Sequence, residues 1–241
     1  MLELDDVVLN YRSGKNSFEH GVHHVLNGVS LSLYEGETLG VIGKNGCGKT
    51  TILRLMAGIF EPTTGTVRRR ANTSAAMLSI GLGFKPQLSG RSNALLAAML
   101  QGSSREQAEA YLEDIKAFSE LGDGFEEPVK TYSSGMRARL GFTTALMTHV
   151  DILLIDEVLA VGDAQFREKA EAALKERIMG EQTVVFVSHQ GPQIQSICDR
   201  AIWLDEGKIA AEGEAGAVLE QYTASIKLGS KLPGGAATLI T

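Results

Sequence analysis

The chain has 241 residues, 44% of them hydrophobic and 22% charged, which is ordinary for a soluble globular protein of one sizeable domain, or of one domain with a lobe inserted into it. Its formal net charge of −6 leaves no electrostatic footprint for nucleic acid, and two cysteines, Cys47 and Cys198, make no disulfide framework. The acidic start, Met1 to Asp6, is not expected to be a signal peptide, and no apolar run reaches bilayer length, so a cytosolic chain is expected, free to dock onto a membrane protein.

Leu2 to Leu9 alternates loosely and predicts a strand ending near Asn10-Tyr11. Residues 12–24 predict an exposed loop. No cysteine accompanies His20, His23 and His24 there and carboxylates are sparse, so a solvated loop is expected rather than a metal site. Val25 to Leu33 predicts a second strand, and Thr38 to Ile42 a short buried one. The basic run Arg68-Arg69-Arg70 reads as the end of a solvated strand. Ser104-Arg105-Glu106-Gln107 is a capping box, followed by apolar residues at helical spacing as far as Leu121, with Gly122 placed to end that helix. A second helix is expected from about Gly135 to Thr148. Together these make a helical lobe over roughly residues 86–148, inserted between the halves of an α/β core. Ile152–Ile155 and Val184–Val187 are continuous apolar runs, as expected of strands buried on both faces of a parallel sheet, with a helix over 163–178 between them. Residues 201–209 predict a hairpin, and the chain from 226 onward predicts a loose tail.

The chemistry starts at Gly43-Lys44-Asn45-Gly46-Cys47-Gly48-Lys49-Thr50, which fits the phosphate-loop pattern G-x-x-x-x-G-K-[ST] between a strand and a helix. Glycines let successive N–H groups point inward toward phosphate oxygens, and the helix dipole adds to them. Lys49 carries a charge for the β- and γ-phosphates, and the Thr50 hydroxyl suits Mg²⁺. A glycine turn that merely contains Lys-Thr would lack these flanks. The pattern implies a nucleoside triphosphate. The apolar strand 152–155 ends in Asp156 and Glu157, which would deliver a Mg²⁺ ligand and a general base to the carboxyl edge of the sheet. His189 follows the next such strand, where a γ-phosphate contact is expected. Ser133 and Ser134 can cap the helix opened by Tyr132-Ser133-Ser134-Gly135-Met136, leaving backbone N–H groups at 134–136 as an anion site.

In this order, residues 2–222 resemble the nucleotide-binding subunit of an ATP-binding-cassette (ABC) transporter. Gly43 to Thr50 resembles the family's Walker A loop, Tyr132 to Met136 its LSGGQ signature, Ile152 to Glu157 its Walker B strand, Ala160-Val161-Gly162-Asp163 its D-loop and His189 its switch histidine. Tyr11 stands where the family places an aromatic against adenine. Ser134 and Met136 depart from the usual Gly and Gln. YSSGM, D-E-V-L-A-V-G-D and Gly83 to Asn93 resemble the subgroup that exports capsule, O-antigen and teichoic acid. Gln87 is the nearest glutamine to the family's metal-contacting one, but it falls later against Phe84 than the pattern places it. About twenty residues follow Tyr222, too few for the carbohydrate-binding domain that some members carry.

The resemblance implies an α/β P-loop core of RecA type with an N-terminal antiparallel β part and the inserted helical lobe. It implies ATP and Mg²⁺ as ligands and a head-to-tail homodimer on the cytoplasmic face of the membrane. ATP would lie between Tyr11, the 43–50 loop and Thr51 of one copy and Ser133, Ser134 and Gly135 of the other, with Asp163 in the D-loop. It implies partnership with two copies of a membrane permease, whose cargo is a lipid-linked polysaccharide. Another exported cargo, an importer's solute, or a non-transport ABC ATPase acting on DNA or ribosomes are the rival readings. The last usually carries coiled-coil insertions, two cassettes or basic surfaces. A GTPase would show Asn-Lys-x-Asp after a strand, and a non-enzymatic binding module would lack Glu157 or His189.

Overall fold

A computed structural model of the chain describes residues 1–12, 22–78, 83–156, 163–228 and 238–239. In chain order it contains β1 (Leu2–Arg12), β2 (Val22–Leu33), β3 (Thr38–Ile42), α1 (Lys49–Met56), β4 (Thr64–Arg69) and β5 (Ala75–Leu78). Then follow α2 (Gly90–Leu100), α3 (Arg105–Ala110), α4 (Leu112–Ser119), two 3₁₀ turns (Gly122–Glu126 and Val129–Thr131), α5 (Ser134–Met147), β6 (Ile152–Ile155) and α6 (Ala164–Ile178). The chain continues through β7 (Thr183–Val187), α7 (Gly191–Ile197), β8 (Arg200–Asp205), β9 (Lys208–Glu214), α8 (Ala215–Leu228) and β10 (Thr238–Leu239).

Two compact units divide the chain, one formed by Met1–Thr73 with Ile178–Thr241, the other by Ser74–Arg177. In the first unit β1 pairs antiparallel with β2 and with β4, so that Leu4 faces Leu31 on one side and Val67 on the other. Leu2, Leu4, Val7 and Leu9 are buried, and a single apolar face thus anchors this antiparallel part. In the same unit β3 lies between β7 and β8 and runs parallel to both, pairing Thr38 with Val184 and Ile42 with Trp203. Every residue of β3 and β7 is buried, the pattern expected of strands covered on both faces. β9 returns antiparallel to β8, and β10 pairs parallel with β9.

The second unit pairs β5 with β6 in parallel, Ala75 opposite Ile152, and packs its helices around Ala94, Leu112, Ile115, Phe125 and Leu140. The Ser104 capping box forms as expected, the Ser104 hydroxyl accepting from the Gln107 N–H at 3.2 Å and the Gln107 side chain accepting from the Ser104 N–H at 2.8 Å.

Several boundaries differ from the sequence expectation. β1 and β2 extend to Arg12 and from Val22, which narrows the expected 12–24 loop and puts His23 and His24 on a strand, while His20 lies outside the described residues. His24 Nδ1 meets Asn10 Oδ1 at 2.7 Å, and no group of three or more metal-binding side chains occurs among the described residues. The helix expected to run unbroken to Leu121 is two helices. Tyr111 joins them at φ −79°, ψ −14°, near-helical angles that keep the apolar spacing in phase across the break. It ends at Ser119, where Glu120 takes the left-handed capping conformation at φ 55°, two residues before Gly122, which also has φ 55°. The tail expected to be loose from 226 is helical to Leu228. Of the basic run, Arg68 and Arg70 are solvated and paired with Glu3 and Glu35, whereas Arg69 turns inward to the Met56 carbonyl, and burial lowers its pKa.

Candidate nucleotide-binding site

The loop from Gly43 to Gly48 leaves β3 and enters α1 through a Gly48 N-cap at φ 109°. A side chain at Gly48 would be strained there, and its Cβ would lie 2.9 Å from Leu26 Cδ2 and 3.0 Å from the Val25 carbonyl oxygen. At Gly43 a Cβ would lie 2.2 Å from the Leu204 carbonyl oxygen and 2.7 Å from Cys47 Sγ. Gly43 and Gly48 are therefore demanded by close packing beneath the loop. Lys44, Asn45 and Gly46 are exposed, whereas Cys47, Gly48, Lys49 and Thr51 are buried. Lys49, only 7% exposed, donates from Nζ to the Gly43 carbonyl at 2.8 Å and to the Lys44 carbonyl at 2.9 Å. An ammonium has three donors, so one remains for a phosphate oxygen. The Ile52 N–H makes an early helical bond, to the Gly48 carbonyl at 2.9 Å, and the N–H groups of the first turn before it have no intrahelical acceptor. Burial pushes the Cys47 thiol pKa up, against the pull of Lys49, so this cysteine behaves as a small apolar residue in the loop floor.

Tyr11, near the end of β1, is 37% exposed and meets Phe60 edge-on at 5.8 Å between ring centroids. Phe60 is in turn covered by the Arg54 guanidinium at 5.6 Å. Phe60 thus braces the Tyr11 ring. Sequence reading passed over it because it lies in the turn after α1, outside any motif. His189 is exposed directly after β7. Ahead of it the Ser188 hydroxyl donates to Gln193 Oε1 and accepts from the Gln190 N–H, both at 3.0 Å, which sets the turn into α7. All of these belong to the first unit.

The remaining candidates belong to the second unit. Asp156 follows β6 and is half-buried, while Glu157 and 158–162, including Ala160, Val161 and Gly162 of the expected D-loop, lie outside the described residues. Ser133 caps α5, its hydroxyl accepting from the Met136 N–H at 3.1 Å. Of the three N–H groups expected to be free at 134–136, Met136's is therefore committed. Ser133 and Ser134 are exposed, and a Cβ at Gly135 would meet nothing closer than Ser133 Oγ at 3.8 Å. Asp163 caps α6 by accepting from the Phe166 N–H at 3.0 Å, with Arg139 of α5 on its other oxygen. These contacts, the backbone bond first, hold its pKa below the usual carboxylate range. Arg139 also stacks over Phe166 at 4.8 Å and pairs with Glu120 at 3.5 Å. It was missed because nothing in the pattern distinguishes one helical arginine from another.

Gln87 is exposed on a loop pinned by Asn93. The two N–H hydrogens of buried Asn93 are shared among the carbonyls of Lys85, Leu88 and Ser89, at 2.9–3.1 Å, and its oxygen accepts from the Lys85 N–H at 2.7 Å. Arg91 closes the same corner, bonding Glu113 at 2.8 Å and Glu126 at 2.9 Å above the Phe125 ring. The Gly83–Asn93 stretch is thus built around a buried amide and an arginine clamp.

The family model for ABC transporter matches residues 26–160, more than half of the chain. The chain belongs to the ABC transporter family. Among ABC relatives it is 43% identical over 194 residues to an O-antigen export system ATP-binding protein RfbB of Klebsiella pneumoniae, covering 80% of this chain and 78% of that protein. It is 40% identical over 217 residues to the RfbB of Myxococcus xanthus, covering 90% of this chain and 49% of that one. With the teichoic acids export ATP-binding protein TagH of Listeria innocua it shares 41% over 208 residues, 86% of this chain and 62% of the relative. Across four such relatives the chain spans only 49% to 65% of their length. A dimeric ATP-binding cassette solved with ADP and phosphate superposes with a TM-score of 0.70 over 89% of this chain and 99% of that one, at 22% identity. The fold is that of an ABC cassette, with the expected antiparallel part, P-loop core and helices. No described helix is long and apolar enough to cross a membrane.

Proposed function

We propose that the chain is the ATP-hydrolysing subunit of an ABC exporter that moves a lipid-linked cell-surface polysaccharide across the cytoplasmic membrane. The observation that carries the ATPase half is buried Lys49, held against Gly43 and Lys44 at the start of α1. The cargo half is supported by similarity to the O-antigen and teichoic acid export proteins named above.

Phosphate oxygens would be taken by loop N–H groups between residues 44 and 50, apart from that of Cys47, which the Lys44 carbonyl accepts at 3.4 Å, and by the third donor of Lys49; Thr51 would complete this set, and Tyr11 would stack on the base. Thr50 and Asp156 offer the hard oxygen donors that Mg²⁺ takes, and its charge would neutralise the β- and γ-phosphates. Glu157 would accept a proton from the attacking water as the bond between the γ-phosphorus and the ADP oxygen breaks, leaving ADP and phosphate. His189 would hold the γ-phosphate. Ser133, Ser134 and Gly135 would reach the nucleotide of a second copy and Asp163 would sit at the dimer seam, so isolated monomers would turn over poorly. The helical lobe over roughly 86–148 would contact the permease, two copies per dimer, with the ATPase peripheral on the cytoplasmic face.

Glu157→Gln keeps shape and removes the base. The chain carrying it is expected to bind ATP, to accumulate as a dimer by size-exclusion chromatography with light scattering, and to lose most phosphate release. Wild-type turnover in this variant would overturn the role of Glu157. Purified with ATP and Mg²⁺ from native membranes in gentle detergent, the same variant is expected to bring down a permease and a lipid-linked glycan identified by mass spectrometry. An unrelated permease would refute the cargo.

A further inference from the structure

The hairpin of β8 and β9 has no part in the chemistry proposed above, yet its turn is packed against Val25, which with Leu204 of β8 lies against the phosphate loop. The two strands pair with a bulge between Trp203 and Leu204, after which Asp205 pairs with Lys208. Only Glu206 and Gly207 close the hairpin, at φ 45° and 77°, the positive pair that a type I′ turn requires. Gly207 is buried, and its carbonyl accepts from the Asn27 N–H at 2.9 Å. A Cβ on Gly207 would lie 2.5 Å from the Val25 carbonyl oxygen. That oxygen also lies 3.0 Å from the Cβ position of Gly48, which is 3.4 Å from Leu204 Cδ2. The Leu204 carbonyl oxygen, 2.2 Å from the Cβ position of Gly43, closes the other end. Both ends of the phosphate loop thus rest on backbone that the turn itself holds in place.

We propose that the Glu206–Gly207 turn, acting through the Val25 and Leu204 carbonyls, positions the phosphate loop for nucleotide binding, with Gly207 the residue that sets the spacing. The inference rests on the reading of 43–50 as the nucleotide loop. Any side chain at Gly207 must push on Val25, a backbone group that cannot rotate away, and Gly48 is next in line. The loop N–H groups would then miss their phosphate oxygens by a fraction of an ångström, while the hairpin and the strands beneath it remain.

The test is titration of the full-length chain with ribose-labelled fluorescent ATP, together with thermal melts, for the unsubstituted protein, Gly207→Ala and Gly65→Ala. Gly65 is the control. It also has positive φ, at 82°, and a Cβ there would lie 2.2 Å from the Asp6 carbonyl oxygen, so alanine strains the same unit with its close contacts at Asp5 and Asp6. Both variants are expected to melt earlier. Only Gly207→Ala is expected to weaken ATP, by about tenfold, the scale of one lost charge-assisted hydrogen bond. If Gly207→Ala does not fold, Gly207→Asn replaces it, since Asn accepts positive φ but still carries a Cβ against Val25. Unchanged affinity at position 207, or equal loss in the Gly65 control, would overturn the proposal. Failure of the unsubstituted chain to take up ATP would instead remove the reading of the loop itself, and the proposal with it.

Discussion

Lys49 shows what a single buried charge is asked to do. Its ammonium is nearly out of solvent and bonded to two loop carbonyls, so it is fixed in place before any ligand arrives. Lys49→Met keeps the length of the stem and removes the charge and its donors. We expect ATP affinity to fall by roughly tenfold to a hundredfold, as for loss of a charge-assisted hydrogen bond, with an unchanged far-UV circular dichroism spectrum. The measurement is isothermal titration with ATP, and a variant that binds as well as the parent would remove Lys49 from the phosphate contacts. Ser133 makes the complementary point. Composition read it as a cap, which it is, and only its exposure beside an open Gly135 leaves room for a second role.

At the scale of an element, α2 and the loop before it depend on one side chain. From a buried position the Asn93 amide holds four groups of the 85–89 backbone, accepting from one N–H and sharing its two N–H hydrogens among three carbonyls, and alanine cannot replace it. Asn93→Ala should cost about 2–3 kcal/mol, several buried backbone groups being left short of partners, and a urea midpoint within error of the parent would contradict this. The clamp around Arg91 carries a pH signature. The Arg91 guanidinium, chiefly by hydrogen bonding, holds the Glu126 pKa below its ordinary value. A depressed carboxylate stabilises the fold above the ordinary carboxylate range, near pH ~4.3, and that contribution is lost as pH falls through the lower folded value. Melting temperature should therefore decline more steeply with acid in the parent than in Glu126→Gln. Because Glu126 is half exposed, added salt should shrink the difference.

At the scale of the whole molecule, the candidate residues fall into two units, with Tyr11, the phosphate loop and His189 in one and Asp156, the α5 cap and Asp163 in the other. The proposed dimer predicts complementation between copies. Lys49→Met disables one partner's phosphate loop and Gly135→Asp the other's signature turn, the latter at a position where an added Cβ makes only an ordinary contact, with Ser133 Oγ at 3.8 Å. An equimolar mixture of the two inactive chains should regain phosphate release, because one of its two composite sites is intact. A mixture no more active than its components would argue against shared sites.

Much of this was legible from the chain alone, because its signals are local. The phosphate loop needs a fixed run of glycines, lysine and threonine. Ile152–Ile155 and Val184–Val187 declare burial by continuous apolar composition, and Ser104 with Gln107 declares a helix start within four residues. Order along the chain then sufficed for the family. What sequence could not decide depends on partners distant in the chain. That α4 ends at Ser119 with Glu120 as its left-handed cap could not be read locally, since the Glu120 side chain is held by Arg139 and Lys169, distant partners that a rule favouring Gly122 cannot see. Arg91, Asn93 and Phe60 gain their roles only from what surrounds them, as does Gly207, whose Val25 contact spans 182 residues of chain. Short-range sterics and hydrogen bonding are written in neighbouring letters, whereas close packing between separate segments exists only once the chain has folded.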